Sequence, residues 1–134
     1  MRVAPVVVMG VSASGKTALA RALAAATGLA FCDADDLHPA ENIAKMAAGQ
    51  PLEDADRAPW LDRCAAVLAP GGVVLACSAL RRAYRDRLRL AAPDLRLLYL
   101  DAPPALTAAR IAARRGHFMP PGLLASQYLS LIHI

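Results

Sequence analysis

The run Gly10-Val11-Ser12-Ala13-Ser14-Gly15-Lys16-Thr17 fills the pattern G-x-x-x-x-G-K-[ST] at every fixed position. Residues of these types at this spacing bind phosphate. Backbone N–H groups of a loop that opens a helix converge on an anion. Lys16 would reach the β- and γ-phosphates of a nucleotide such as ATP as a mobile point charge. The Thr17 hydroxyl would ligate Mg²⁺, a cation that prefers hard oxygen donors.

A second cluster, Asp33-Ala34-Asp35-Asp36-Leu37-His38, follows a short apolar run. Past the carboxyl end of a strand in an open parallel sheet, such acids line the ligand crevice. Phosphoryl transfer uses carboxylates in two ways, one to organise the Mg²⁺ shell and one to take or orient the proton of the attacking hydroxyl. Asp33 is assigned the first role and Asp35 the second. Period-two alternation puts both on one side if the backbone stays extended there. Asp36 is a candidate cap for the next turn.

Arginines form the third set: Arg57, then Arg81, Arg82 and Arg85, then Arg110, Arg114 and Arg115 ahead of Gly116-His117-Phe118-Met119. Arg81 with Arg85, and Arg110 with Arg114, stand four apart and would share a helix face. The first pair could clamp an anionic substrate. The second, before a glycine hinge, could close as a lid over about 110–122 and exclude water. Arg82, Arg87, Arg89 and Arg96 read as solvated helix or strand faces. Trp60 reads as core or as a wall of the pocket.

These residues must be positioned by an α/β scaffold. Apolar runs at Val3 to Met9, Val73 to Cys77 and Leu95 to Leu100 alternate with Ala- and Arg-rich stretches, the pattern of parallel strands covered on both faces. Leu29 to Cys32 is a weaker fourth strand. Helices are expected over Lys16 to Thr27, Pro39 to Ala48, Pro59 to Leu68, Arg81 to Ala91 and Pro103 to Arg115. Thr27-Gly28 supplies a stop for the first. Asp101 supplies an N-cap for the last.

The chain has 134 residues, 57% hydrophobic and 19% charged, which fits one packed domain over 1–134 and excludes a disordered chain. The net charge of +4 is carried almost wholly by arginine, since Lys16 and Lys45 are the only lysines. At 4% aromatic the chain lacks a stacking platform for nucleic acid. The Val3 to Met9 run is far short of the ~20 residues of a membrane span, and no cleavage site follows it, so a cytoplasmic protein is expected. Cys32, Cys64 and Cys77, odd in number and set among apolar neighbours, read as reduced thiols.

Beyond the phosphate loop, six stretches carry a resemblance: Asp33 to Pro39, Asn42-Ile-Ala-Lys-Met46, Pro51 to Leu61, Cys77-Ser-Ala-Leu80, Tyr84-Arg-Asp86 and Gly116-His-Phe-Met119. With them the sequence resembles the small gluconate kinases of the P-loop kinase superfamily, over nearly its whole length. The resemblance implies a three-layer αβα fold with a parallel sheet, five-stranded in the family. It implies transfer of phosphate from ATP, with Mg²⁺, to D-gluconate, and a homodimer. His38, Asn42, Arg57, Arg81 and Arg85 stand at matching motif positions as candidates for the sugar acid, alongside Asp35. Ala13 and Thr17 stand where the family often has Gly and Ser. Leu129 to Ile134 departs from the family, so the chain is expected to be truncated or to carry an unrelated tail there, without the last strand. Another small-molecule kinase of the superfamily, or a nucleotide-binding fragment without turnover, are the alternative readings.

Overall fold

The computed structural model describes residues 2–11, 14–79 and 81–100. The helix expected from Pro103 to Arg115, the lid about 110–122 with Arg110 and Arg114, and the tail 129–134 lie outside them, as do Ser12 and Ala13. The described strands are β1 (Val6–Met9), β2 (Ala30–Asp33), β3 (Val73–Ala76) and β4 (Arg96–Tyr99). Between them run helices α1 (Lys16–Thr27), α2 (Ala40–Ala47), α3 (Asp54–Leu68) and α4 (Arg82–Ala91). A 3₁₀ turn covers Ala34–Leu37.

Every strand pairing is parallel, in the order β2-β3-β1-β4. Val8 and Asp33 both face Ala76 across the ladder, so β1, β2 and β3 end at one edge. The loops that leave those ends therefore share a crevice.

Alternation along the strands sends side chains into two cores. Val7, Met9, Val73, Leu75 and Cys77 pack with Trp60, Cys64 and Leu68 of α3 and Leu88 of α4. Val8, Val74 and Ala76 pack on the other face against Ala20 and Ala24 of α1. Those two alanines, four apart, give α1 a flat face that comes close to the sheet. Each fully buried leucine contributes roughly 1.5–3 kcal/mol of transfer free energy. The three layers are thus α1, the sheet, and α3 with α4.

The sequence places each of these elements, with shifts at their ends. Helix α1 matches its expected span and ends at Gly28, whose N–H reaches the Ala24 carbonyl. β1 begins at Val6 and not at Val3, because the Val3 carbonyl is drawn off to the Gly72 N–H at 2.8 Å. β2 extends one residue further than expected, to Asp33.

Helix α3 begins at Asp54, five residues ahead of the expected Pro59. A capping box between Glu53 and Asp56 starts it, and Lys45 of α2 pairs with Asp56 at 2.7 Å. These contacts, with the burial of Trp60, Leu61 and Cys64 just after, offset the lost N–H of Pro59 inside the helix.

The acidic segment gives the largest change. Ala34–Leu37 is not extended but wound into a 3₁₀ turn, with Asp33 as its N-cap accepting from the Asp35 N–H at 3.0 Å. A short polar side chain competes for the backbone ahead of it and turns the chain. Strand alternation therefore does not relate Asp33 to Asp35.

Candidate active site

The loop after β1 is shaped by its glycines. A Cβ on Gly10 would stand 2.6 Å from Ser14 Oγ and 3.0 Å from the Leu100 carbonyl, so only glycine lets the loop fold back here. Gly15 caps α1 in the left-handed region, φ 97°, with no side chain capping the helix. The free N–H groups of that first turn therefore remain available to an external anion.

Two side chains in the loop lack an adequate partner within the described residues. Ser14 Oγ is buried with no hydrogen bond, an arrangement that costs free energy unless a ligand or water meets it. Lys16 is buried and donates to the Val11 carbonyl at a long 3.4 Å. An orphaned hydroxyl, a buried ammonium and a run of unpaired N–H donors fit a bound polyphosphate.

Beside the loop, Thr17 Oγ1 donates to Asp33 Oδ2 at 3.1 Å. A hydroxyl and a carboxylate in contact at a phosphate site are the hard oxygen donors that Mg²⁺ prefers, directly or through its waters. Asp35 follows in the 3₁₀ turn, its backbone tied to Asp33.

The second group lies where the same turn meets α2 and α3. The His38 ring stacks on Trp60 with centroids 4.6 Å apart and planes 7° off parallel. Trp60 Nε1 donates to the Ala34 carbonyl at 2.7 Å. Asn42 Nδ2 lies 3.2 Å from His38 Nδ1 and donates to the Asp56 carbonyl at 2.9 Å. Burial, and to a lesser degree the nearby Arg57 cation, lower the His38 pKa to about 4.

A third group joins α3 to α4. Arg57 donates to the Tyr84 hydroxyl at 2.9 Å and stacks over its ring. Tyr84 in turn donates to Asp54 Oδ1, which also receives Arg81 at 3.4 Å. Burial, followed by the bond to Asp54, raises the Tyr84 pKa, so the hydroxyl keeps its proton.

Arg81 and Arg85 do not stand together on one helix face. Arg81 is the N-cap of α4 and is half-exposed toward Asp54. Arg85 is buried and donates to the carbonyl of Ala79, a residue held at φ 36°.

The structure thus brings Gly10, Val11, Ser14, Gly15, Lys16, Thr17, Asp33 and Asp35 to one side of the crevice. His38, Asn42, Arg57 and Arg81 come from the turn, α2, α3 and the start of α4. Asp54 and Tyr84 join them without having been singled out for a role. The signal for Tyr84 was its place three residues after Arg81, one helical turn along. For Asp54 it was the acidic start of a helix that sequence reading placed too late. A cavity of about 390 Å³ lined by Val3, Ala4, Val6, Thr27, Leu29 and Arg96 lies by the amino ends of β1 and β4, away from all these groups. Among the described residues no group of His, Cys, Asp and Glu could hold a metal by protein ligands alone, and no helix is long and apolar enough to cross a membrane.

A parallel sheet with a glycine-framed anion loop after β1, and a hydroxyl–carboxylate pair beside it, defines a P-loop kinase. A family described as an AAA domain matches residues 6–121. The gluconokinase of Gluconobacter oxydans (strain 621H) is 48% identical over 130 residues, covering 93% of this chain and 73% of that protein. The thermosensitive gluconokinase of Escherichia coli (strain K12) is 45% identical over 132 residues, covering 93% of this chain and 70% of that protein. The crystal structure of a gluconokinase from Sinorhizobium meliloti 1021 superposes with a TM-score of 0.86 at 47% identity, over 98% of this chain and 77% of that one. The chain belongs to the gluconokinase family.

Proposed function

We propose that this chain transfers the γ-phosphoryl group of ATP to D-gluconate, giving 6-phospho-D-gluconate and ADP. The observation that carries the reading is that Asp33 contacts Thr17 beside the anion loop with one oxygen and with the other caps the turn that ends at His38, whose ring feels the Arg57 cation. One side suits polyphosphate and the other suits a polyhydroxy carboxylate.

In this reading the loop N–H groups from Gly10 through Thr17, with the Lys16 ammonium, bind the β- and γ-phosphates and stabilise charge as it moves onto the bridging oxygen. Thr17 and Asp33 would hold Mg²⁺, which when bound neutralises the phosphoryl oxygens. Asp35 takes the proton from the 6-hydroxyl as its oxygen bonds to the γ-phosphorus and the bond to the bridging oxygen breaks. His38, Asn42, Arg57, Arg81 and Arg85 are the candidate sugar-acid residues, with Arg57 and Arg81 offering the charge for the carboxylate. Arg110 and Arg114 are the candidate lid arginines over ATP. A cytoplasmic homodimer is the setting this reading carries with it.

Phosphorus NMR of a reaction with MgATP and D-gluconate tests the assignment. A phosphomonoester signal split by two equivalent-type protons places phosphate on the primary hydroxyl. No new phosphomonoester with gluconate, but one with shikimate, would transfer the chain to another substrate.

A further inference from the structure

We infer that His38 serves as a fixed neutral hydrogen-bond donor to an oxygen of the sugar acid, and that Asn42, through its amide N–H groups, acts on His38 as a positioning residue. This rests on the proposed gluconate reading for the identity of the acceptor, while the state of the ring stands on contacts within the chain.

The argument begins at a backbone carbonyl. Asp56 O accepts hydrogen bonds and donates none, so the Asn42 atom 2.9 Å away must be its amide nitrogen. That orientation is set by chemistry. The same nitrogen lies 3.2 Å from His38 Nδ1, so its second proton points to Nδ1, which must then be an acceptor. Both Asn42 protons are thereby used, and the residue is buried. The ring proton is left on Nε2, which meets no partner among the described residues.

The ring is also held in place. Trp60 covers one face in a near-parallel stack, and Trp60 is itself anchored to the Ala34 carbonyl. The charged group bearing on the ring from α3 is Arg57, and Lys45 of α2 is engaged by Asp56. On its own turn, Asp35 meets His38 through backbone atoms at 3.5 Å. A cation nearby and a buried ring both disfavour imidazolium, which agrees with the tautomer that the hydrogen bonds require. A neutral Nε2–H held beside Arg57 donates to a hydroxyl or carboxylate oxygen without setting a second cation next to the guanidinium.

Long-range proton–nitrogen correlation spectra of the full chain, with His38 assigned by its loss in His38→Gln, test the ring directly. The account expects an unprotonated Nδ1 and a protonated Nε2, unchanged from pH 5.5 to 8. A protonated Nδ1, or titration near the ordinary histidine value, overturns it. The second arm is Asn42→Asp, whose carboxylate would accept from Nδ1 and favour imidazolium. The account expects the KM for gluconate in this variant to change about tenfold between pH 6 and 8 while the wild-type value stays level and the KM for ATP is unmoved. A KM raised equally at every pH would make Asn42 a direct contact and overturn its positioning role. Should gluconate not be turned over at all, the substrate assignment falls, and the spectra still decide the state of the ring.

Discussion

The Thr17 hydroxyl meets the Asp33 carboxylate at 3.1 Å, joining the first turn of α1 to the last residue of β2. The two residues stand 16 positions apart in sequence, with the rest of α1 and β2 between them. Their contact places a carboxylate beside the phosphate loop, and the other Asp33 oxygen starts the turn that carries Asp35 and His38.

Asp33→Asn keeps a side-chain oxygen for the Asp35 N–H and so leaves the turn capped. It removes the charge that would order the Mg²⁺ shell. The Mg²⁺ concentration giving half-maximal activity is expected to rise about 10–100-fold, measured by titrating Mg²⁺ at fixed ATP. An unchanged Mg²⁺ requirement would show that the carboxylate plays no part in it.

Gly10→Ala sets a methyl group 2.6 Å from Ser14 Oγ and 3.0 Å from a backbone carbonyl. The Ser14 side chain can rotate, whereas the carbonyl must shift, so a stability loss of about 1–3 kcal/mol is expected in urea unfolding. Displacing Ser14 also spoils the loop. The rise in Tm on adding ATP is expected to shrink or vanish in the variant, and a full rise would contradict this account of the loop.

Much of this arrangement was legible in the sequence, because the phosphate loop is local. Its glycines, lysine and threonine stand consecutively, and strand and helix flank them. The order β2-β3-β1-β4 was not legible, since parallel pairing depends on crossovers that periodicity does not encode. Asp33 and Asp35 were readable as site residues but not as cap and turn, because the side chain overrode the strand. The start of α3 was hidden by Pro59, a residue usually read as a first-turn proline. Tyr84 and Asp54 come together from α4 and α3, about 30 positions apart.

Tyr84→Phe removes the hydroxyl that links Arg57 to Asp54. With Arg57 released, the KM for gluconate is expected to rise about 3–10-fold while the KM for ATP holds steady. Steady-state kinetics with each substrate varied in turn gives the answer. Equal changes in both constants would make Tyr84 a packing residue only.

His38 sets a pH dependence of stability. Its folded pKa, about 4, lies below its ordinary value of 6.5. Between those values the unfolded chain holds the extra proton, so stability is full above pH 6.5 and falls as pH drops toward 4. From pH 7.5 to 5 the wild type is expected to lose about 2 kcal/mol more than His38→Gln in urea unfolding. Equal losses would mean that the ring titrates alike in the folded and unfolded chains, against the lowered folded value.

The central claim is that the loop through Lys16 drives phosphoryl transfer to gluconate. ADP release from MgATP, with and without D-gluconate, compared between this chain and Lys16→Ala, tests it most directly. The account predicts gluconate-dependent release that falls at least about 10²–10³-fold in the variant. Release that does not depend on gluconate, or that survives in Lys16→Ala, would contradict it.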